Sequence, residues 1–396
     1  MKLSPSLHAA ILALAGVAAA ADSTSAKDDG FQRFSALPIL GYSEETKLQY
    51  GAMALVFFRP ETPGGEVPEI DISAQGTSRG QYSFMFTPYF YLMHDQVSGW
   101  FNLRYQDWVA SYFGMGNNPD FDEYILFDRQ KLNVGLELES NLGISEILPK
   151  GFKYGMEIDL EYADISFRSD KSGKSDSEAV RNDQDDLKDF DGYDGPGENA
   201  DKVTSDIVAP DPGSGFRNGL GYLLAYDTRD NKNWARHGFL LQWQQMFYSD
   251  LIGDYSYQTE TLDLRGYTYL FWKTSMAVGA LWQRTSGDTP FDKLSGPDGI
   301  KRFRGVESLY FRDNQALILQ AELRKVLFWR LAGDIFFEGG KVGDHFSELL
   351  RNQWHRAIGF GGELALNLKE SLYARGEFSW IDNEHLALTV YIRQAF

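Results

Sequence analysis

Few residues in this chain have the types and the spacing that enzyme chemistry requires. Residues 76–80 read G-T-S-R-G and match the G-x-S-x-G pattern of a serine nucleophile. That motif needs a helix after its turn, and no helical pattern follows, so a hairpin turn explains these residues better. The sequence has no cysteine, and its six histidines include no H-x-x-H or H-x-x-x-H pair. We therefore expect a protein that is not an enzyme and that holds no metal and no cofactor.

Acidic residues alternate with apolar residues at 156–162, where Glu157, Asp159 and Glu161 share one face. Carboxylates placed in this way could serve as the general acid and base of a hydrolase. The simpler interpretation is a polar lining that faces water, because the residues between them are apolar and face the other way.

Composition narrows the class of protein further. Hydrophobic residues make up 43% of the chain and aromatic residues 15%, and 56 acidic residues against 38 basic ones give a net charge of −18. A nucleic-acid partner is excluded, because a phosphate backbone requires a basic surface. The aromatic content is instead typical of a β-barrel whose outer face contacts lipid and whose inner face contacts water.

The first residues have the form of a secretory signal peptide, predicted to span residues 1–21. Lys2 precedes an apolar run at 9–17, and the alanines that follow suit cleavage. Residues 22–32 would then form a short periplasmic tail, and residues 33–396 the membrane domain. No later stretch reaches the roughly 18 apolar residues that a membrane helix needs. The mature chain can therefore span a membrane only as a barrel.

Alternation with a period of two recurs along the chain, and no comparable length shows helical periodicity. The segments between turn signals number about 16. They predict an all-β fold, a closed antiparallel transmembrane β-barrel of about 16 strands in the bacterial outer membrane. With the amino terminus in the periplasm, the long connections near 109–122, 169–215, 287–311 and 340–354 would lie at the outer surface.

The connection at 169–215 differs in composition, since it has thirteen acidic and five basic residues. A solvated surface loop is the favoured interpretation. Cation binding near 183–194 is the alternative, but the spacing there does not fit a D-x-[DN]-x-[DN]-G loop.

One loop motif, Phe303-Arg304-Gly305-Val306, is informative when it is read together with other passages of the chain. It precedes five predicted strands, and it occurs together with the passages Pro38–Thr46, Tyr112–Asn117, Gly221–Asn231, His237-Gly238, Glu322–Arg324 and Phe336–Gly340 and with a terminal Phe396. In this order and spacing, residues 33–396 resemble the BamA/TamA family of outer-membrane assembly and translocation barrels, also called bacterial surface antigens.

In that family, the sixth outer loop folds into the lumen, and its arginine pairs with acids on the strand walls. The resemblance implies that Arg304, next to Gly305, is that arginine and that Glu322 and Glu338 are its partners. Strand parity agrees, because both glutamates alternate with apolar residues and so face inward. A buried guanidinium also needs carboxylates to satisfy it. The alternative is that Arg304 points into the solvent above the barrel.

The resemblance also implies a role in inserting or translocating other outer-membrane components, through a weak seam between the first and last strands. The partners would be outer-membrane lipid, client outer-membrane proteins and a separate periplasmic protein. A separate partner is expected because family members carry folded periplasmic domains, whereas only residues 22–32 precede this barrel. The alternative is a passive channel or a structural surface barrel.

The last strand carries an expected insertion signal. Val390, Ile392 and Phe396 share one face with other apolar residues. A terminal aromatic residue on the lipid side resembles the signal by which outer-membrane barrels are recognised.

Overall fold

The protein is described by a computed structural model that covers residues 31–43, 47–119, 124–144, 147–168, 207–306, 309–368, 371–382 and 385–393. Its strands are β1 (Phe34–Ser43), β2 (Lys47–Phe57), β3 (Glu69–Thr77), β4 (Tyr82–Leu92), β5 (Val97–Tyr112), β6 (Ile125–Ser140), β7 (Phe152–Phe167), β8 (Gly215–Asp227), β9 (Gly238–Tyr248), β10 (Tyr257–Tyr269), β11 (Thr274–Gly287), β12 (Gln315–Phe328), β13 (Leu331–Gly343), β14 (His355–Asn367), β15 (Leu372–Ile381) and β16 (His385–Ile392). A short 3-10 helix (Phe291–Lys293) and one α-helix, α1 (Phe346–Arg351), complete the regular structure of these residues. None of the helices within the described ranges has the length and apolar character needed to cross a membrane.

The strands form one antiparallel sheet in which each strand pairs with its neighbours along the chain, from β1 to β16. The predicted all-β fold and the predicted number of strands are confirmed. Two strands continue beyond their predicted ends near residues 108 and 339. The last residues of β5 pair with the first residues of β6, so that Tyr112 lies opposite Ile125. Strand β13 continues its pairing with β12 up to Gly343.

Pro88 lies inside β4, although proline within a strand usually marks a bulge or a strand boundary. Neither occurs here, because Phe86 pairs with Leu103 and Tyr89 with Trp100 in an unchanged register. The ladder between β4 and β5 omits the proline and its preceding residue, so the missing N–H is accommodated by a local gap rather than by a shift.

Successive residues alternate between the two faces of the sheet, as the period of two predicts. On β12, Leu319 and Leu323 are 42% and 37% exposed on the outer face, whereas Glu322 is only 2% exposed on the inner face. On β13, Phe337 is 52% exposed and its neighbour Glu338 is fully buried. The glutamates therefore face inward and the apolar residues face outward.

Side chains connect the two ends of the sheet. Leu37 of β1 packs in one apolar cluster with Leu364 and Leu372, from the strands near the other end. Arg393, which directly follows β16, binds the carboxylate of Glu69 on β3. The sheet therefore curves until its first and last strands lie near each other, and its inner face surrounds a lumen.

The connections differ in length at the two ends of this barrel. The three longest connections, which link β5 to β6, β7 to β8 and β11 to β12, begin and end at one end of the barrel, the loop end. The opposite end, at which β1 begins and β16 ends, is called the turn end.

Candidate functional site: a loop anchored in the lumen

The connection between β11 and β12, residues 288–314, is the inserted loop. Its central residues Phe303 and Arg304 are fully buried. Phe303 packs with residues of the inner face, including Ile318 of β12 and Ala357 of β14. The loop therefore runs into the lumen and not into the solvent above the barrel.

The tip of the inserted loop is a compact turn. Oδ1 of Asp298 accepts the backbone N–H of Arg302 at 2.7 Å, and Gly305 donates its backbone N–H to the carbonyl of Gly299 at 2.8 Å. Gly305 has a φ of +87°, and a Cβ at this position would lie 2.8 Å from Cβ of Ala387. Only glycine combines this backbone conformation with so close an approach to β16.

Arg304 is held by three carboxylates from three strands. Its Nε lies 2.8 Å from Oε1 of Glu338, and its backbone N–H donates to Oε2 of the same residue at 2.5 Å. Its Nη1 donates to Glu322 at 2.6 Å and to Glu377 at 3.0 Å. The guanidinium also lies over the ring of Phe336, 3.4 Å from the centroid. All four charged side chains are shielded from water, so the charge of Arg304 and the charges of the three glutamates must neutralise one another.

Two more arginines belong to the same buried cluster. Arg375 of β15 places Nη2 at 2.5 Å from Glu377, 3.1 Å from Glu322 and 3.2 Å from Asp334. Arg324 of β12 pairs with Glu322. This cluster, the clasp, consists of Arg304, Arg324, Arg375, Glu322, Asp334, Glu338, Glu363 and Glu377.

Three carboxylates of the clasp lie close enough together to suggest a metal site. Ligand atoms of Glu322, Asp334 and Glu377 lie within 4.8 Å of one another. Nη2 of Arg375 contacts all three, so a guanidinium already supplies the positive charge that a metal ion would bring.

The structure brings together the residues that the sequence placed in this site. Arg304, Glu322 and Glu338 are in direct contact, and Gly305 forms the turn beside them. Sequence reasoning missed Glu377, although its alternation with outward residues on β15 indicated an inward side chain. Strand parity shows which acids face inward. It does not show which of them meet across the lumen, because that depends on the curvature of the barrel.

A second side chain of the tip binds another part of the wall. Arg302 donates from Nη2 to Asp263 of β10 and from Nη1 to Gln320 of β12, both at 2.5 Å. Gln320 in turn donates to Glu338 at 2.7 Å. Asp263 also pairs with Arg265 at 2.5 Å, so its carboxylate would keep a cationic partner if Arg302 were removed.

The first limb of the inserted loop is bound to the opposite wall by a second cluster, the limb network. Nη1 of Arg217 (β8) lies 2.9 Å from Asp292, and Lys131 (β6) binds the same carboxylate. Lys293 donates to Glu161 of β7 at 3.0 Å, and Arg217 donates to this glutamate at 3.1 Å. Burial favours the neutral form of Asp292, but the three cations hold the pKa of its carboxyl well below its usual range.

The outer part of the inserted loop is covered by residues 113–119, which follow β5. Tyr310 donates its hydroxyl to the carbonyl of Pro119 at 3.1 Å, and Gly116 donates its backbone N–H to the carbonyl of Arg312 at 2.8 Å. The loop is therefore held at its tip, on its first limb and near its exit.

The other sequence-predicted sites lie away from this cluster. Residues 76–80 form the turn between β3 and β4, as the hairpin interpretation predicted. Val390 is exposed on the outer face of β16, whereas Ile392 packs partly against the apolar cluster that joins the sheet ends. Phe396 lies outside the described residues, so the insertion signal stays a prediction. The segments 1–21 and 169–206 also lie outside them, as does most of the tail 22–32.

Comparison with known proteins identifies the family. A sequence profile of the Omp85 superfamily domain matches residues 65–343, which is more than half of the chain. The chain belongs to the Omp85 superfamily. No curated protein sequence matches it significantly.

Two solved structures show the same fold as this Omp85 barrel. BamA from Haemophilus ducreyi, in a form that lacks POTRA domains 1–3, matches with a TM-score of 0.52 at 11% identity over 98% of this chain and 76% of that chain. CdiB from Acinetobacter baumannii matches with a TM-score of 0.52 at 9% identity over 91% of this chain. This chain spans 59% of the length of that CdiB.

Proposed function

We propose that this Omp85 barrel resides in the outer membrane and helps to insert or translocate other outer-membrane components, without enzyme chemistry. Membership of the superfamily and the fold shared with BamA and CdiB support this class of function. The observation that carries the proposal is the inserted loop, whose tip is fixed in the lumen by the fully buried Arg304.

The position of the clasp suggests what it does in such a role. Arg304 connects β12, β13 and β15, and Gly305 touches Ala387 of β16. These are the last strands of the sheet, so the loop tip braces the wall beside its terminal strand. A client that added its own strand at this edge would meet a rigid template.

The proposed seam lies between β1 and β16. Backbone pairing among the described residues runs from β1 to β16, and the apolar cluster with Leu37 and Ile392 joins the two ends through side chains. Pro38 lies in β1 and has no N–H to donate, which suits an edge strand. A seam held mainly by side chains would open at a lower cost than a full ladder.

A passive channel is the second candidate, because the lumen keeps polar space at the turn end. A cavity of about 220 Å³ there is lined by charged groups that include Glu66, Glu137, Glu139, Lys153 and Arg229. Such a lining accommodates water and small polar solutes.

Depletion of the protein followed by quantification of the outer-membrane proteome tests the proposal. We expect loss of specific outer-membrane proteins and accumulation of their unfolded forms in the periplasm. Complementation with wild type would restore them, Arg304→Ala would restore them poorly, and Arg284→Ala, at an exposed arginine, serves as the matched control. An unchanged proteome with altered solute permeability would overturn the proposal in favour of the channel.

A further inference from the structure

Two arginines on the inner face of β5 and β6 have no acidic partner. Arg104 and Arg129 make no hydrogen bond and no ion pair among the residues that the structure describes, whereas the arginines of the clasp and of the limb network are paired. Nε of Arg129 is buried and has no acceptor. Arg104 is exposed to the lumen, whereas the buried Nε of Arg129 is a donor without an acceptor, which is costly and needs an explanation.

Strand parity places both side chains in the lumen. On β5, Arg104 shares a face with Asn102 and Gln106, and Asn102 hydrogen-bonds across the inner face to Asn133 of β6 at 3.2 Å. On β6, Arg129 is two residues from Lys131, which binds Asp292 of the inserted loop. The register pairs Arg104 with Asn133, which is four residues along β6 from Arg129. Two long side chains on neighbouring strands can converge on one ligand across that offset.

The nearest carboxylates are already occupied. Glu161 faces both arginines, but it accepts from Arg217 at 3.1 Å and from Lys293 at 3.0 Å. Asp292 faces Arg129, but it is bound by Lys131 and Arg217. The charge of the two free guanidiniums is therefore not neutralised by this wall.

The inserted loop adds another cation on the same side. Arg312 donates to the carbonyl of Leu294 at 2.7 Å. Burial lowers the pKa of its guanidinium to about 10, the repulsion of Arg129 adds to this effect, and Asp292 and Asp298 oppose it. A positive region thus lies inside a protein whose net charge is −18.

We propose that Arg104 and Arg129 form a lumenal binding site for a phosphate-type oxyanion. A guanidinium presents parallel N–H groups that match two oxygens of a phosphate, and a tetrahedral anion has enough oxygens to bridge two such groups. Rings of arginine and lysine serve the same purpose in anion-selective pores. Binding would satisfy the buried Nε of Arg129 and remove the repulsion between the two cations.

The site is tested on the full barrel purified in a zwitterionic detergent, with inorganic phosphate as the probe in isothermal titration. We expect saturable binding to wild type and an affinity reduced about tenfold or more in the double variant Arg104→Gln, Arg129→Gln, because charged hydrogen bonds are lost. Arg284→Gln removes an exposed arginine of β11 and would bind phosphate as wild type does.

Unfolding of the double variant is separated from loss of the site by a second measurement. Arg129→Lys keeps the charge but loses the two-pronged geometry, so we expect intact heat-modifiable migration and an affinity reduced severalfold. Absence of phosphate binding to wild type, or equal binding to wild type and the double variant, would overturn the proposal.

A competition arm distinguishes the source of the phosphate group. Dihexanoyl phosphatidic acid that displaces inorganic phosphate at a lower concentration would support the site with a lipid headgroup as its ligand. If phosphatidic acid does not displace bound inorganic phosphate, the site would be supported with a soluble anion as its ligand. Phosphatidic acid that binds equally well to the double variant would show that it binds elsewhere on the barrel.

Discussion

The tip and the first limb of the inserted loop are held by opposite arrangements of charge. At its tip, the single cation Arg304 is shared by Glu322, Glu338 and Glu377. On its first limb, the loop offers both an anion and a cation, Asp292 and Lys293, to a wall that carries both charges.

The difference concerns what remains after one residue is removed. Without Arg304, three buried carboxylates lose a common partner, and only Arg324 and Arg375 remain to balance them. Without Asp292, its cations still have Glu161, which lies 3.1 Å from Arg217. The tip therefore depends on one side chain, whereas the limb network is redundant.

The largest effect is expected from Arg304→Ala. Removal of one partner of a buried ion pair costs about 3–5 kcal/mol, because the remaining charges stay desolvated. We expect a lower thermal midpoint in detergent and new protease cleavage within the inserted loop, while the barrel still inserts. Arg304→Lys would rescue little, since an ammonium lacks the planar fork. A thermal midpoint and a cleavage pattern equal to those of Arg284→Ala would contradict the conclusion that the loop tip depends on Arg304.

A smaller effect is expected from Asp292→Ala. We expect a loss of about 1–3 kcal/mol, the usual range for a buried group left without its partner, since Glu161 still neutralises part of the network. Urea unfolding of the detergent-solubilised barrel measures it, with the exposed Asp288→Ala as the control. A loss as large as that of Arg304→Ala would show that the limb network is not redundant.

Arg302→Ala is expected to cost less, about 0.5–1.5 kcal/mol, as for a typical hydrogen-bonded side chain. Asp263 keeps its contact with Arg265, and Gln320 keeps its contact with Glu338. Hydrogen exchange at residues 299–305 would rise in this variant without a change in exchange across β12. A global rise across the strands would mean that Arg302 stabilises the sheet itself.

The smallest effect is expected from replacing residues 169–206 with a short Gly/Ser turn. The acidic composition of this segment offers little apolar surface to bury, so we expect a change below about 0.5 kcal/mol. Thermal unfolding of the purified barrel measures it, and protease added to whole cells would cut the wild-type segment. Protection from that protease would contradict a surface position.

The fold could be predicted more fully than the site. Alternation fixes which residues face inward, so parity identified Glu322 and Glu338 as inward residues, and the number of strands followed from the turn signals. Proline usually marks a bulge or a strand boundary, but Pro88 lies inside β4 because the neighbouring strands keep their register around its missing N–H.

Contacts across the lumen could not be predicted in the same way. Asp292 and Lys293 come from the loop, whereas Lys131, Glu161 and Arg217 come from three strands that are far away in the sequence. Their meeting depends on the curvature of the sheet and on the path of the loop, and neither leaves a periodic pattern. A family resemblance drew attention to Arg304, but no pattern pointed to the limb network.

The most direct test of the loop anchored in the lumen is a double-mutant cycle between Arg304 and Glu338. The free energy of unfolding is measured for wild type, Arg304→Ala, Glu338→Gln and the double variant. Because Nε of Arg304 lies 2.8 Å from Glu338, we expect a coupling energy of at least about 1 kcal/mol. Additive effects of the two substitutions would contradict a direct contact and place the loop tip outside the clasp.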